Sequence, residues 1–213
     1  MQNSKSIKTL EYFFVYKVSF HIFTKNWPMK KKIVDQSIQL FLQYGFKSVT
    51  MDDIAKHMGV SKKTIYVHFP TKDQLVEQSA LNHLDGIIKR INVISKQSKD
   101  PIIELYQIKK EALNHLSGEK NSPQYQLQKY YPSLYSKLKE KEFSALSGLF
   151  SNSIQEGIQT GIFRKDIDVD FVVRIFFNGI RGITNIRLFP VEIYKIEDLL
   201  LNFSEYHLRA LCT

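Results

Sequence analysis

Thr50–Leu75 reads TMDDIAKHMGVSKKTIYVHFPTKDQL, and three helix starts fall within this one short stretch. Thr50 with Asp53 three residues later has capping-box spacing, Asp standing where Glu or Gln is usual. Ser61 offers a hydroxyl to the unpaired amides of a second helix, and Thr71 with Gln74 repeats the box spacing before a third. The first two helices, of about seven residues each, are separated by Met58-Gly59-Val60-Ser61 and are too short to hold alone. They must pack on their neighbours through Ile54, Ala55, Val60, Ile65 and Phe69. That leaves Lys62, Lys63, Thr64, Tyr66, Val67 and His68 on an outward face. Two lysines at a helix N-terminus oppose the helix dipole, so their placement makes sense opposite a polyanion. A short helix, a glycine turn and a second short helix presenting such a face form a helix-turn-helix suited to the major groove. Lys side chains can reach guanine acceptors or phosphate, and Val67 a thymine methyl. Tyr66 and His68 can bond phosphate oxygens, and Lys72 sits at a helix N-terminus, a natural phosphate site. The bland alternative leaves the lysines solvated and Tyr66 at the edge of a core.

Upstream, Val34, Ser37, Ile38 and Phe41 recur at i, i+3, i+4 and i+7, one stripe of an amphipathic helix. Gly45 supplies a left-handed exit and Phe46 a hydrophobic closure. Downstream, a helix from Lys72 to about Ile94 keeps the period, and polar residues 95–100 read as a connection. Pro101, with Asp100 as N-cap, opens a helix carrying Ile102, Leu105, Ile108, Leu113 and Leu116. Ser117–Pro123 reads as a loop. A long helix follows from about Ser133 to Thr160, stopped by Gly161. Asp168 caps the next helix, with Pro190 as its breaker, and a last helix spans about Ile196 to Leu211. After residue 29 no segment alternates as a strand does, so the fold class is all-α. A three-helix head over 29–75 precedes a helical domain over 76–213.

The chain of 213 residues carries a net charge of +9, enough to favour a polyanionic partner though not to specify one. Residues 1–28 hold four lysines and one glutamate, and residues 29–80 hold eight basic and five acidic residues, so charge is densest in the first eighty positions. Cys212, the one cysteine, cannot form an internal disulfide. It reads as a plain terminal thiol, with His207 as its nearest candidate activator. Tyr12–Phe23, YFFVYKVSFHIF, is shorter than the ~20 residues a spanning helix needs and contains Lys17 and His21. It also lacks a signal-peptide cleavage site. Met29-Lys30-Lys31-Lys32 would be an ordinary protein start, so translation is expected to begin at Met29, with residues 1–28 a mis-annotated or disordered extension. The alternative is a real basic-aromatic arm able to meet an anionic membrane.

The stretch Thr50–Leu75, with IVDQSIQLFLQYGFKSV before it, resembles the DNA-binding signature of the tetracycline-repressor (TetR) family. The match is dense over about forty-five residues, with fainter likeness in GIFRKDIDVDFV and NGIRGIT. Carried over position by position, the resemblance implies that Thr50, Tyr66, His68 and Lys72 hold phosphates. It implies that Lys62, Lys63, Thr64 and Val67 face bases. Lys63 departs from the family, where a small or ring-constrained residue is common, so its base contact is left unassigned. The resemblance also implies a C-terminal ligand-sensing and dimerisation domain.

In that domain, residues 171–188 are apolar around much of the circumference, and Gly179 and Gly182 permit close helix approach. A helix buried on two faces points to a partner subunit, with the last helix completing a four-helix interface; an ordinary core helix is the alternative. Tyr125, Tyr130, Tyr131 and Tyr135 either line a pocket for an apolar or aromatic small molecule or serve as packing. His83 and His115 lack metal-ligand spacing, and no phosphate-cradling loop, cysteine pair or nucleophile–base arrangement stands out, so no metal, cofactor or catalytic residue is expected. The expectation is a cytoplasmic, homodimeric regulator with a double-stranded DNA operator and no membrane partner. A small-molecule effector would release it by changing the distance between its heads. Repression is the expected sense, with activation left open.

Overall fold

The computed structural model describes residues 28–98, 100–113, 123–185, 187–190 and 192–212. The expectations about residues 1–27, the loop before Pro123, His115 and Leu116 lie outside them. Among the described residues the regular structure is entirely helical: α1 (Met29–Tyr44), α2 (Met51–Met58), α3 (Lys62–His68), α4 (Lys72–Gln97), α5 (Pro101–Leu113), α6 (Pro123–Tyr130), α7 (Pro132–Gln159), α8 (Val169–Ile183) and α9 (Ile196–Leu211). An isolated antiparallel bridge between Phe163 and Cys212 ties the end of α9 to the turn after α7.

The helix starts are set by local chemistry. Thr50 and Asp53 close a reciprocal capping box: the Asp53 N–H donates to Thr50 Oγ1 at 3.2 Å and the Thr50 N–H to Asp53 Oδ2 at 2.9 Å. Ser61 caps α3 through Thr64 N–H, Thr71 caps α4 through Gln74 N–H, and Asp168 caps α8 through Phe171 N–H. Asp100 Oδ1 accepts from the amides of Ile102 and Ile103 at the start of α5. Each bond satisfies an amide that helix geometry leaves without a partner.

Two apolar clusters organise the molecule. The first joins α1 to α3 and the start of α4 around Phe41, Ile54, Ile65, Phe69 and Leu75, all nearly or wholly buried. The second gathers Ile91, Ile108, Leu146, Phe150, Val173 and Phe177 from α4, α5, α7 and α8. α4 contributes Leu75, Val76 and Ala80 to the first cluster and Ile91 to the second, so the expected boundary between residues 75 and 76 falls inside an unbroken helix.

Several sequence expectations are corrected. Gly45 does take a positive φ of 94°, but its ψ of 147° lies outside the left-handed helical region. α4 runs on to Gln97 before Ser98 caps it, absorbing part of the expected connection. α8 ends at Ile183, well before Pro190, with Thr184 as its C-cap and the Thr184 hydroxyl donating to the Ile180 carbonyl at 2.7 Å. α6 was not anticipated, and Pro132 at the first position of α7 sets the break after it. Gly179 makes its close approach within the chain: a Cβ there would lie 2.2 Å from the Phe203 ring of α9, whereas one at Gly182 would meet nothing within 4 Å.

Candidate functional site

α2 and α3 form the helix-turn-helix. Gly59, at φ 65° and ψ 32°, takes the left-handed conformation that closes α2. Ile65 and Phe69 anchor α3 in the core beneath it. The opposite face leaves Lys62, Lys63, Tyr66 and Val67 exposed, with Thr64 and His68 half-buried. Val67 is 69% exposed. His57 Nε2 lies 3.1 Å from Gln36 Oε1, fastening α2 to α1.

The electrostatics of this face are more structured than its composition suggests. Lys62 Nζ donates to Asp52 Oδ2 at 2.7 Å and lies 6.0 Å above the Tyr66 ring. The Asp52 bond holds the Lys62 ammonium above its ordinary pKa. Thr50 donates both its hydroxyl and its amide to Asp53, holding that carboxyl below the usual range. Lys72 turns onto the backbone, its Nζ 2.8 Å from the Lys47 carbonyl, and burial pulls its pKa down. Of the eight positions expected to meet DNA, Lys62, Lys63, Thr64, Tyr66, Val67 and His68 thus sit together on α3. Thr50 and Lys72 flank it as helix-start residues whose polar groups already have partners. Asp52 was not singled out in the sequence; ten residues separate it from Lys62, and no local spacing rule links them.

A cavity of about 210 Å³ lies between the head and the helices behind it. Ile38, Leu42 and Phe46 line it from the head, and Leu84, Ile87 and Ile91 from α4. Leu105 and Ile108 come from α5, Leu138, Leu146 and Phe150 from α7, and Phe176, Leu200 and His207 from α8 and α9. Polar groups on the wall include Gln124, Tyr135, Ser204 and the ion pair Lys139–Glu142, 2.7 Å apart. His207 is buried with its ring 5.0 Å from that of Phe176 and 6.0 Å from that of Phe203. Burial pushes its pKa down to about 4, because apolar surroundings disfavour the imidazolium.

The four tyrosines expected either to line a pocket or to serve as packing are divided between the two. Tyr135 alone of the four lines the cavity. Tyr131 joins the head core, its ring 6.4 Å from that of Phe46. Tyr125 and Tyr130 lie outside the cavity beneath lysines, Lys129 serving both and Lys47 lying 4.4 Å from the Tyr130 centroid.

Residues 33–78 match the sequence profile of the bacterial regulatory proteins of the tetR family. The chain is 38% identical over 79 residues to the biofilm operon icaADBC HTH-type negative transcriptional regulator IcaR of Staphylococcus aureus, a match covering 37% of this chain and 42% of that protein. The chain therefore spans about two fifths of the length of the first curated relatives it matches. It is 27% identical over 158 residues to the HTH-type transcriptional repressor KstR2 of Mycolicibacterium smegmatis, covering 71% of this chain and 76% of that one. A solved structure of a putative transcriptional regulator from Saccharomonospora viridis in complex with choline superposes with a TM-score of 0.70 at 17% identity, covering 87% of this chain and 98% of the other; that likeness is one of fold. With the capped α2–Gly59–α3 unit in place and the profile match falling on it, residues 33–78 form a DNA-binding head of the tetR-family type.

Proposed function

We propose that the chain is a cytoplasmic, homodimeric, sequence-specific DNA-binding repressor, a regulator rather than an enzyme, released when a small, mostly apolar molecule enters the cavity. The observation that carries the reading is the exposed face of α3, where Lys62, Lys63, Tyr66 and Val67 project from a helix anchored behind by Ile65 and Phe69. In this reading Lys63, Thr64 and Val67 meet base edges, and Lys62 joins them once it leaves Asp52. Tyr66, His68, Thr50 and Lys72 meet phosphates.

The dimer is supported by apolar side chains left uncovered on the last two helices: Phe171 and Ile175, one turn apart on α8, and Leu201 and Tyr206 on α9. Open space over Gly182 continues the α8 face. Two copies would carry two α3 helices to successive major-groove faces, about 34–36 Å or a multiple apart. The effector is supported by the cavity and by the choline that the Saccharomonospora viridis regulator binds. The repressing sense follows the names of the IcaR and KstR2 relatives.

Selection of duplexes from random sequence tests the reading. A recovered site with two-fold symmetric halves, bound by two chains in sedimentation equilibrium, is the expected result. Recovery of no enriched sequence refutes it.

A further inference from the structure

α6 carries glutamines at three successive alternate positions, which between them reach three parts of the molecule. Gln124 lines the cavity and donates to Tyr135 Oη at 3.2 Å. Gln126 is buried and accepts the Lys47 N–H on Oε1 at 3.1 Å. Gln128 donates to Tyr135 Oη at 3.1 Å and to the Thr184 carbonyl, at the end of α8, at 2.8 Å. One short helix therefore touches the cavity, the head and the uncovered helix α8.

The contact with the head is closely packed as well as hydrogen-bonded. The Gln126 amide lies against the Cα of Gly45, where a Cβ would fall 2.1 Å from Nε2. The backbone of Lys47 beyond it is held through both of its flanking peptide groups, the N–H by Gln126 and the carbonyl by Lys72 Nζ at 2.8 Å. The Lys47 ammonium lies over the Tyr130 ring of α6. Phe46, between the two, lines the cavity and stacks on Phe41 at 5.2 Å. Thr50, the cap of α2, follows three residues after Lys47. A displacement of α6 thus reaches the start of the helix-turn-helix through the backbone of one residue, Lys47.

We infer that Gln126 is the positioning residue that couples the cavity and α8 to the DNA-binding head, by holding the Lys47 N–H against α6. The inference rests on the reading of the chain as a DNA-binding regulator. It makes the coupling reciprocal: whatever α6 does to the head, DNA on the head must do to α6. No effector is needed to observe it.

The test is hydrogen exchange on the full chain, alone and with the tightest duplex recovered from random sequence. In the wild-type protein, DNA should protect residues 50–69 and change exchange in residues 123–130 and 180–185 by about fivefold or more. Gln126→Met keeps the bulk over Gly45 and removes the acceptor; protection at 50–69 should persist while the change at 123–130 is lost. Gln126→Glu keeps an acceptor and should restore it, which a purely structural role for the side chain does not predict. Gln128→Met, cutting the other end, should silence 180–185 while 123–130 still responds, and it serves if Gln126→Met fails to fold. An unchanged response at 123–130 in Gln126→Met, or none in the wild type despite protection at 50–69, overturns the inference. Absence of protection at 50–69 on every duplex instead refutes the DNA-binding reading beneath it.

Discussion

Acidification should destabilise this protein through His207. The imidazole is buried against Phe176 and Phe203, and its pKa lies at about 4 in the folded chain, against an ordinary value of 6.5. The unfolded chain therefore binds the proton first as pH falls. Stability from the neutral ring is fully present above pH 6.5 and is lost between pH 6.5 and 4. At about 1.36 kcal/mol for each pH unit of that gap, the complete loss comes to about 3 kcal/mol, of which about 2 kcal/mol is gone by pH 5. Urea unfolding of the wild type and of His207→Leu at pH 7, 6 and 5, with protein concentration and ionic strength fixed, isolates this contribution. Asp35, whose pKa burial raises, titrates in both proteins and cancels in the difference. The wild-type midpoint should fall relative to the variant as pH drops. Parallel midpoints across the range would refute the claim that the imidazole folds into an apolar site as the neutral form.

Other perturbations test separate parts of the account. Gly45→Ala places a Cβ at positive φ and against Gln126, and should cost about 2 kcal/mol or more in urea unfolding; a loss under about 0.5 kcal/mol would mean the turn relaxes freely. Thr50→Ala removes the hydroxyl half of the capping box and should cost about 1–2 kcal/mol, read the same way. Lys63→Ala should alter preference at one operator position by about 1–3 kcal/mol in competition binding, whereas an equal loss on all duplexes would assign Lys63 to phosphate. Val67→Glu should leave the thermal midpoint within about 1 °C, because the side chain is exposed, while weakening operator binding at least about tenfold; a fall in both would place Val67 in the fold rather than at the interface.

What could be read from the sequence was whatever neighbours encode. The caps at Thr50, Ser61, Thr71, Asp100 and Asp168 each bond an amide two or three residues away, so spacing alone reveals them. The buried stripe of α1 and the outward face of α3 follow from helical period in the same way. α6 escaped because PQYQLQKY offers no continuous apolar stripe: Leu127 is its one buried apolar side chain among those described, and its glutamines do the packing. The cavity escaped because it exists only where α1 and α4 to α9 converge. The tyrosines that marked a pocket by their density are separated by the break at Pro132 and by helical geometry, so that Tyr131 enters the head core while Tyr135 faces the cavity. The Asp52–Lys62 and Gln126–Lys47 contacts span 10 and 79 residues, distances at which sequence spacing carries no information about proximity.

The measurement that bears most directly on the central claim is fluorescence-anisotropy titration of the full chain with duplex DNA flanking its own gene, against a scrambled duplex of equal length. At physiological salt the account predicts a preference of about a hundredfold or more for the flanking DNA, lost in Val67→Glu. Equal affinity for both duplexes, unaffected by Val67→Glu, or no binding even at low salt, would contradict it.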